Sequence, residues 1–132
     1  MNGLGFLRLK VVALAVDDLP RAEHFYRDVL GLPPAFEGER QVGFSLGNVI
    51  IMLKPTAGGW YARPGPQLNP RLTFASEDAP GTEKELLGRG ITIGDPVTAY
   101  PSEGFYVGSF LDSEGNKIWF CSPLPEGSGS GP

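Results

Sequence analysis

At 132 residues, with a formal charge of −4 and a pI near 4.9, the chain fits one compact domain and lacks the basic field that gathers nucleic-acid phosphates. Its single cysteine, Cys121, excludes an internal disulfide and any zinc site built on several thiolates. No apolar run approaches the roughly 20 residues of a spanning helix, and the N-terminus lacks the basic-then-apolar order of a signal peptide, so a cytoplasmic protein with no nucleic-acid or membrane partner is expected.

The first predicted element is an apolar, β-branched strand from Leu7 to Val16. Asp17 and Asp18 can cap a helix, and Pro20 suits its first turn. Leu19, Ala22, Phe25, Tyr26, Val29 and Leu30 then recur at helical spacing, while Arg21, His24 and Asp28 project from the opposite face. Gly31 ends the helix. His24, the only histidine, therefore faces water among charged neighbours, and neither a Ser/His/Asp triad nor an imidazole-based metal site finds support in it. Three strands follow, Pro34 to Glu37, Gln41 to Leu46 and Asn48 to Lys54, the last two joined by a tight turn at Gly47-Asn48.

A Gly/Pro-rich connection, PTAGGWYARPGPQLNP, leads to a strand at Arg71 to Ser76, and the earlier pattern restarts. AVDDLPRAEH from Ala15 and ASEDAPGTEK from Ala75 share four identities at an offset of 60, and both run strand, cap, proline, helix. That agreement favours an internal repeat. The second helix spans about Pro80 to Gly88. Strands are predicted at Ile91 to Ile93 with Val97 to Tyr100, at Phe105 to Leu111, and at Asn116 to Ser122. GNVII from Gly47 and GNKIW from Gly115 correspond at an offset of 68. PLPEGSGSGP, residues 123–132, reads as a flexible tail.

Tandem β-α-β-β-β halves, VALAVDDLPRAEHFYRDVLGL and FLDSEGNKIWF together resemble the vicinal oxygen chelate superfamily, which includes glyoxalase I, extradiol dioxygenases and the bleomycin resistance proteins. The resemblance implies an α+β fold of two tandem βαβββ modules whose curled mixed sheets form a cup-shaped cavity. It places a single domain at residues 1–122, with module one at 7–54, a connector at 55–69 and module two at 70–122. Metal-dependent members carry His, Glu or Gln at one inward position on the first and last strand of each half. Those positions map here to Val11, Ile51, Arg71 and Trp119. Valine, isoleucine and tryptophan offer no lone pair and arginine repels a cation, so no metal and no cofactor are expected. A one-residue error of register would substitute Lys10 or Val12, Ile50 or Met52, and neighbours that are no better as ligands.

If Trp119 faces inward, alternation places Lys117 and Cys121 beside it and sends Ile118 and Phe120 toward the helices. Thr73 joins Arg71 in the same inward set. Arg71 offers a planar fork for a carboxylate, phosphate or sulfate, or else simply pairs with one of the chain's acids. Trp60 and Tyr61, in a glycine-rich stretch, suit a lid or stacking wall, or else close a core or a subunit contact. Tyr100 and Phe105 flank a loop at the expected cavity rim. The candidate ligand-binding set is thus Arg71, Trp119, Val11, Ile51, Thr73, Trp60, Tyr61, Tyr100 and Phe105. Resemblance to the metal-free bleomycin-resistance-like branch implies a homodimer that sequesters an aromatic drug or metabolite. A cofactor-independent lyase or isomerase, with Arg71 as oxyanion partner, is the alternative. A partner-binding module with filled cups is a third reading.

Overall fold

The computed structural model describes residues 3–5, 7–58, 63–68 and 71–125, and the chain divides into two compact units, Met1–Arg63 and Pro64–Pro132. Trp60 and Tyr61 lie outside the described residues. Among the described residues no helix is long and apolar enough to cross a membrane.

The first unit runs β1 (Val11–Val16), α1 (Leu19–His24), a π turn (Phe25–Val29), β2 (Pro34–Glu37), β3 (Arg40–Leu46), β4 (Val49–Pro55) and a 3₁₀ turn (Thr56–Gly58). Its sheet order is β1-β4-β3-β2, with β1 parallel to β4 and the other pairs antiparallel. The expected strand from Leu7 begins only at Val11. Its partner β4 starts at Val49, so among the described residues no strand pairs with residues 7–9, and Leu7 and Leu9 remain 92% and 65% exposed. Asp18 caps α1 by accepting from the Arg21 amide at 3.1 Å. The helix widens in its last turn, where the Leu30 amide donates to the Phe25 carbonyl at 2.8 Å. Gly31, at φ +75, then ends it. Ala22, Phe25 and Tyr26 are buried, and Tyr26 stacks on Phe44 with ring centroids 6.3 Å apart. Leu14, Val16 and Ile51 complete the apolar layer beneath the helix.

The second unit runs β5 (Thr73–Ala75), α2 (Ala79–Gly88), β6 (Thr98–Tyr100), β7 (Phe105–Leu111) and β8 (Lys117–Pro123). Its order, β5-β8-β7-β6, repeats that of the first sheet with the same parallel outer pair. The α+β fold of two tandem β-α-β-β-β modules is therefore the observed one. The strand expected at Ile91 to Ile93 is a single bridge, Ile93 to Phe110. The chain between α2 and β6 bends there at Gly94, where an added Cβ would lie 2.6 Å from the Ser109 hydroxyl. Phe110, Ile118 and Phe120 pack under α2 with Ala79 and Leu86.

The Asp112-Ser113-Glu114-Gly115-Asn116 turn is a hydrogen-bonded unit. Asp112 Oδ1 accepts from the Glu114 and Asn116 amides at 2.8 Å each, and Asp112 Oδ2 accepts from Asn116 Nδ2 at 3.0 Å. Asn116 Oδ1 in turn accepts from the Gly65 amide at 3.1 Å. Both side chains are buried, so this conspicuous motif holds a turn and pins the start of the unit.

Candidate functional site

The register of the second sheet decides which side chains share a face. Thr73 lies opposite Trp119, Trp119 opposite Ser109, Leu111 opposite Lys117, and Phe105 opposite Pro123 on one side and Tyr100 on the other. Residues directly across a ladder point the same way, and alternate residues along a strand do too. One face therefore carries Thr73 on β5, Lys117, Trp119 and Cys121 on β8, Phe105, Val107 and Ser109 on β7, and Thr98 and Tyr100 on β6. The other face, with Ile118 and Phe120, belongs to the helix. Five expected site residues, Arg71, Thr73, Trp119, Tyr100 and Phe105, fall together on or beside the helix-free face.

Arg71 precedes β5 and is tied to the sheet through its neighbour, since the Trp119 amide donates to the Leu72 carbonyl at 2.9 Å. Its guanidinium carbon lies 3.5 Å from the centroid of the Trp119 ring, and the Lys117 ammonium lies 4.5 Å from the same centroid. Two cations thus meet one indole, each attracted by the ring quadrupole. Lys117 pairs with Asp95. Asp95 Oδ2 also accepts from the buried Ser109 hydroxyl at 2.8 Å, and Ser109 Oγ accepts from the Asp95 amide at 2.7 Å. The Lys117 ammonium, then the Ser109 hydroxyl, hold the Asp95 carboxyl below its ordinary value.

The first sheet separates the two residues mapped to it. Val11 pairs with Ile50, but Ile51 pairs with Val12 and with Phe44. Val11 thus shares the helix-free face with Ile50 and Met52, while Ile51 is 2% exposed in the core beneath α1. This corrects the alignment of GNVII with GNKIW. In the repeat, Phe44 faces Ile51 as Phe110 faces Ile118, so Ile51 corresponds to Ile118 and Met52 to Trp119. The turn before β8 is longer than that before β4, which displaces the shared Gly-Asn by one residue.

None of Val11, Ile51, Met52, Arg71 or Trp119 offers a carboxylate, thiolate or imidazole, so the residues at the ligand positions do not fit a divalent metal. Among the described residues no group of three or more His, Cys, Asp or Glu side chains is placed to hold one. His24 is 63% exposed at its side chain on α1 and pairs with Asp28 at 2.9 Å. A cleft of about 200 Å³ between α1 and β3, lined by Leu19, Glu23, Gln41, Val42, Gly43, Phe44 and Leu53, lies on the helix side of the first sheet. It is smaller than the roughly 300–1,000 Å³ of drug-sized sites.

Sequence reasoning placed Lys117 beside Trp119 by alternation but assigned it no role. It missed Asp95 and Ser109. Asp95 sits in an irregular bend with no periodic signal, and Ser109 looks like any strand serine.

The profile of the Glyoxalase/Bleomycin resistance protein/Dioxygenase superfamily matches residues 8–120, and the chain belongs to that superfamily. No curated protein sequence matches it. Among solved structures, it is similar to a member of the same superfamily from Sphaerobacter thermophilus (TM-score 0.73, 19% identity, covering 89% of this chain and 98% of that one). It is similar as well to a lactoylglutathione lyase from Agrobacterium tumefaciens (TM-score 0.69, 21% identity, 89% and 95%). A third, TnmS3, is an antibiotic binding protein from Streptomyces (TM-score 0.65, 17% identity, 91% and 98%). Likeness at these identities is likeness of fold.

Proposed function

We propose that the chain is a metal-independent small-molecule binding protein of the glyoxalase/bleomycin resistance type, working as a cytoplasmic homodimer that sequesters an aromatic drug or metabolite. The observation that carries this reading is the composition of the ligand positions: where metal-dependent relatives need lone-pair donors, this chain has Arg71 stacked on Trp119. A cation and an indole suit an organic ligand and repel a metal ion. Tyr100 and Phe105, on the same face and both substantially exposed, add apolar area of the kind that buries flat ligands. The antibiotic binding neighbour makes sequestration a function that this fold supports.

The lyase or isomerase reading is less well supported on this face. Asp95, its acid beside the cations, is held below the ordinary carboxylate range and so is a weak base near neutrality. The test is a thermal-shift screen of aromatic antibiotics and aromatic acids with and without chelator, followed by titration of Trp119→Ala. Loss of about 1–3 kcal/mol of binding free energy in the variant, unaffected by chelation, is the expected result. Turnover of a hit that disappears on replacing one carboxylate, with binding retained, would establish the enzyme instead.

A further inference from the structure

The proposed binding face has a charge sign. Among the residues that the register places there, with the neighbouring Arg71 and Asp95, the charged members are Arg71, Lys117 and Asp95. That leaves one net positive charge on a chain whose total is −4. Arg71 is exposed, and among the described residues no carboxylate lies within ion-pair distance of it. Stacking on Trp119 engages the face of the guanidinium and leaves its in-plane N–H fork to be satisfied by something else. Lys117 has a counter-ion in Asp95, and Asp95 has a second donor in Ser109, so its carboxylate stays hydrogen-bonded if the ammonium turns away.

We infer that the ligand carries an oxyanion, held between Arg71 and Lys117 at the edge of Trp119, and that Asp95 is a built-in counter-ion which the ligand displaces from Lys117. The inference rests on the organic-ligand reading above and names the ligand's chemistry: a planar aromatic body bearing a carboxylate, phosphonate or sulfonate. The dimensions agree. The two cations cannot be more than about 8 Å apart, the sum of their distances to the ring centroid, and an oxyanion accepting charge-assisted bonds of about 2.8 Å on each side spans such a gap. Asp95 acts as a competitor for the same ammonium. It keeps Lys117 paired in the free protein, so an oxyanion must out-compete a carboxylate for that ammonium and loses part of its affinity in doing so, whereas a neutral compound is unaffected.

The counter-ion role makes an unusual demand: removing a charged residue of the site should strengthen binding. The experiment is calorimetric titration of the full chain with 2-naphthoate, 2-naphthamide and 2-naphthylmethylammonium at low ionic strength. Naphthoate is expected to bind about tenfold more tightly than the amide, with the ammonium weakest. Arg71→Ala and Lys117→Met should each weaken naphthoate by about tenfold or more, and Lys117→Arg should retain most of it. Asp95→Asn, an isosteric change, should tighten naphthoate several-fold and leave the amide unchanged, with melting curves confirming that each variant is folded. Equal binding of the amide, or weaker naphthoate binding in Asp95→Asn, would overturn the oxyanion assignment. If the amide or the ammonium binds and Trp119→Ala removes it, the organic-ligand reading survives that failure. If none of the three probes binds, both fall.

Discussion

Asp95 illustrates how much of a side chain's behaviour is set by its immediate partners. With Lys117 and Ser109 both favouring its charged form, its folded pKa lies below the ordinary 3.8. A group with a depressed folded pKa contributes stability that is present above its unfolded value and is lost as pH falls through the folded one. The contribution of Asp95 is therefore intact at neutral pH and disappears only in acid below about pH 3.8, the value it takes when unfolded. Carboxyl carbon shifts followed through an acid titration should give a midpoint below that value, and Lys117→Met should move the midpoint upward. A midpoint at or above the ordinary value in the parent protein would remove the pairing. Asn116 is a second case. Its amide joins the β7–β8 turn to Gly65 from a fully buried position, and truncation removes one donor to Asp112 Oδ2 and the acceptor of the Gly65 amide. Asn116→Ala should cost about 1–3 kcal/mol in denaturant unfolding, while the exposed His24→Ala should be close to neutral.

At the level of strands and helices, the register of β4 makes a sharp contrast between neighbours. Ile51 is packed against Phe44 under α1, and Met52 stands on the opposite face. Ile51→Ala should therefore destabilise by about 2–5 kcal/mol, and Met52→Ala by far less, as judged by urea midpoints. Equal costs would mean that β4 is turned over. Gly43 adds a backbone constraint: it sits at φ +154, and an added Cβ would lie 2.3 Å from the Ile51 carbonyl oxygen. Gly43→Ala should accordingly cost more than about 1 kcal/mol, the reverse of the gain that such a substitution brings at a compatible site. The same elements show what could be read beforehand. Apolar spacing located α1 and the alternating strands, because burial against a helix leaves a periodic trace in sequence. The register of β4 left no such trace, since both faces of that strand are apolar and the shared Gly-Asn dipeptide hides a turn of different length. Arg71 and Trp119 are candidate site residues from position alone, but their stacking depends on side-chain reach. Asp95 comes from a bend whose path only the folded chain reveals.

For the molecule as a whole, the two modules repeat one topology with different chemistry on their helix-free faces. Val11, Ile50 and Met52 give the first an apolar strip that ends at Lys54, and the second carries Arg71, Lys117, Asp95 and the indole. If the ligand positions are as poor in donors as their side chains indicate, melting temperature and ligand affinity should be unchanged by chelation. Metal analysis giving about one zinc, nickel, manganese or iron per subunit, removable with loss of binding, would contradict this. Sedimentation at micromolar concentration should give a dimer, and a strictly monomeric species would remove that part of the proposal.

The connection between helix and second strand is four residues long in the first module, 30–33, and nine in the second, 89–97. The longer one delivers Asp95 to the charged face while contributing only one bridge to the ladder. Its consequence is evolutionary: the chain has a stretch in which specificity can vary with little penalty to folding. Thr92 and Pro96 are exposed there, whereas a Cβ at Gly94 would displace the Ser109 hydroxyl that holds Asp95. Relatives adapting to new compounds should diverge first at 92 and 96, and a library randomised at those two positions with Gly94 and Asp95 retained should yield many folded proteins that differ in the ligand they prefer.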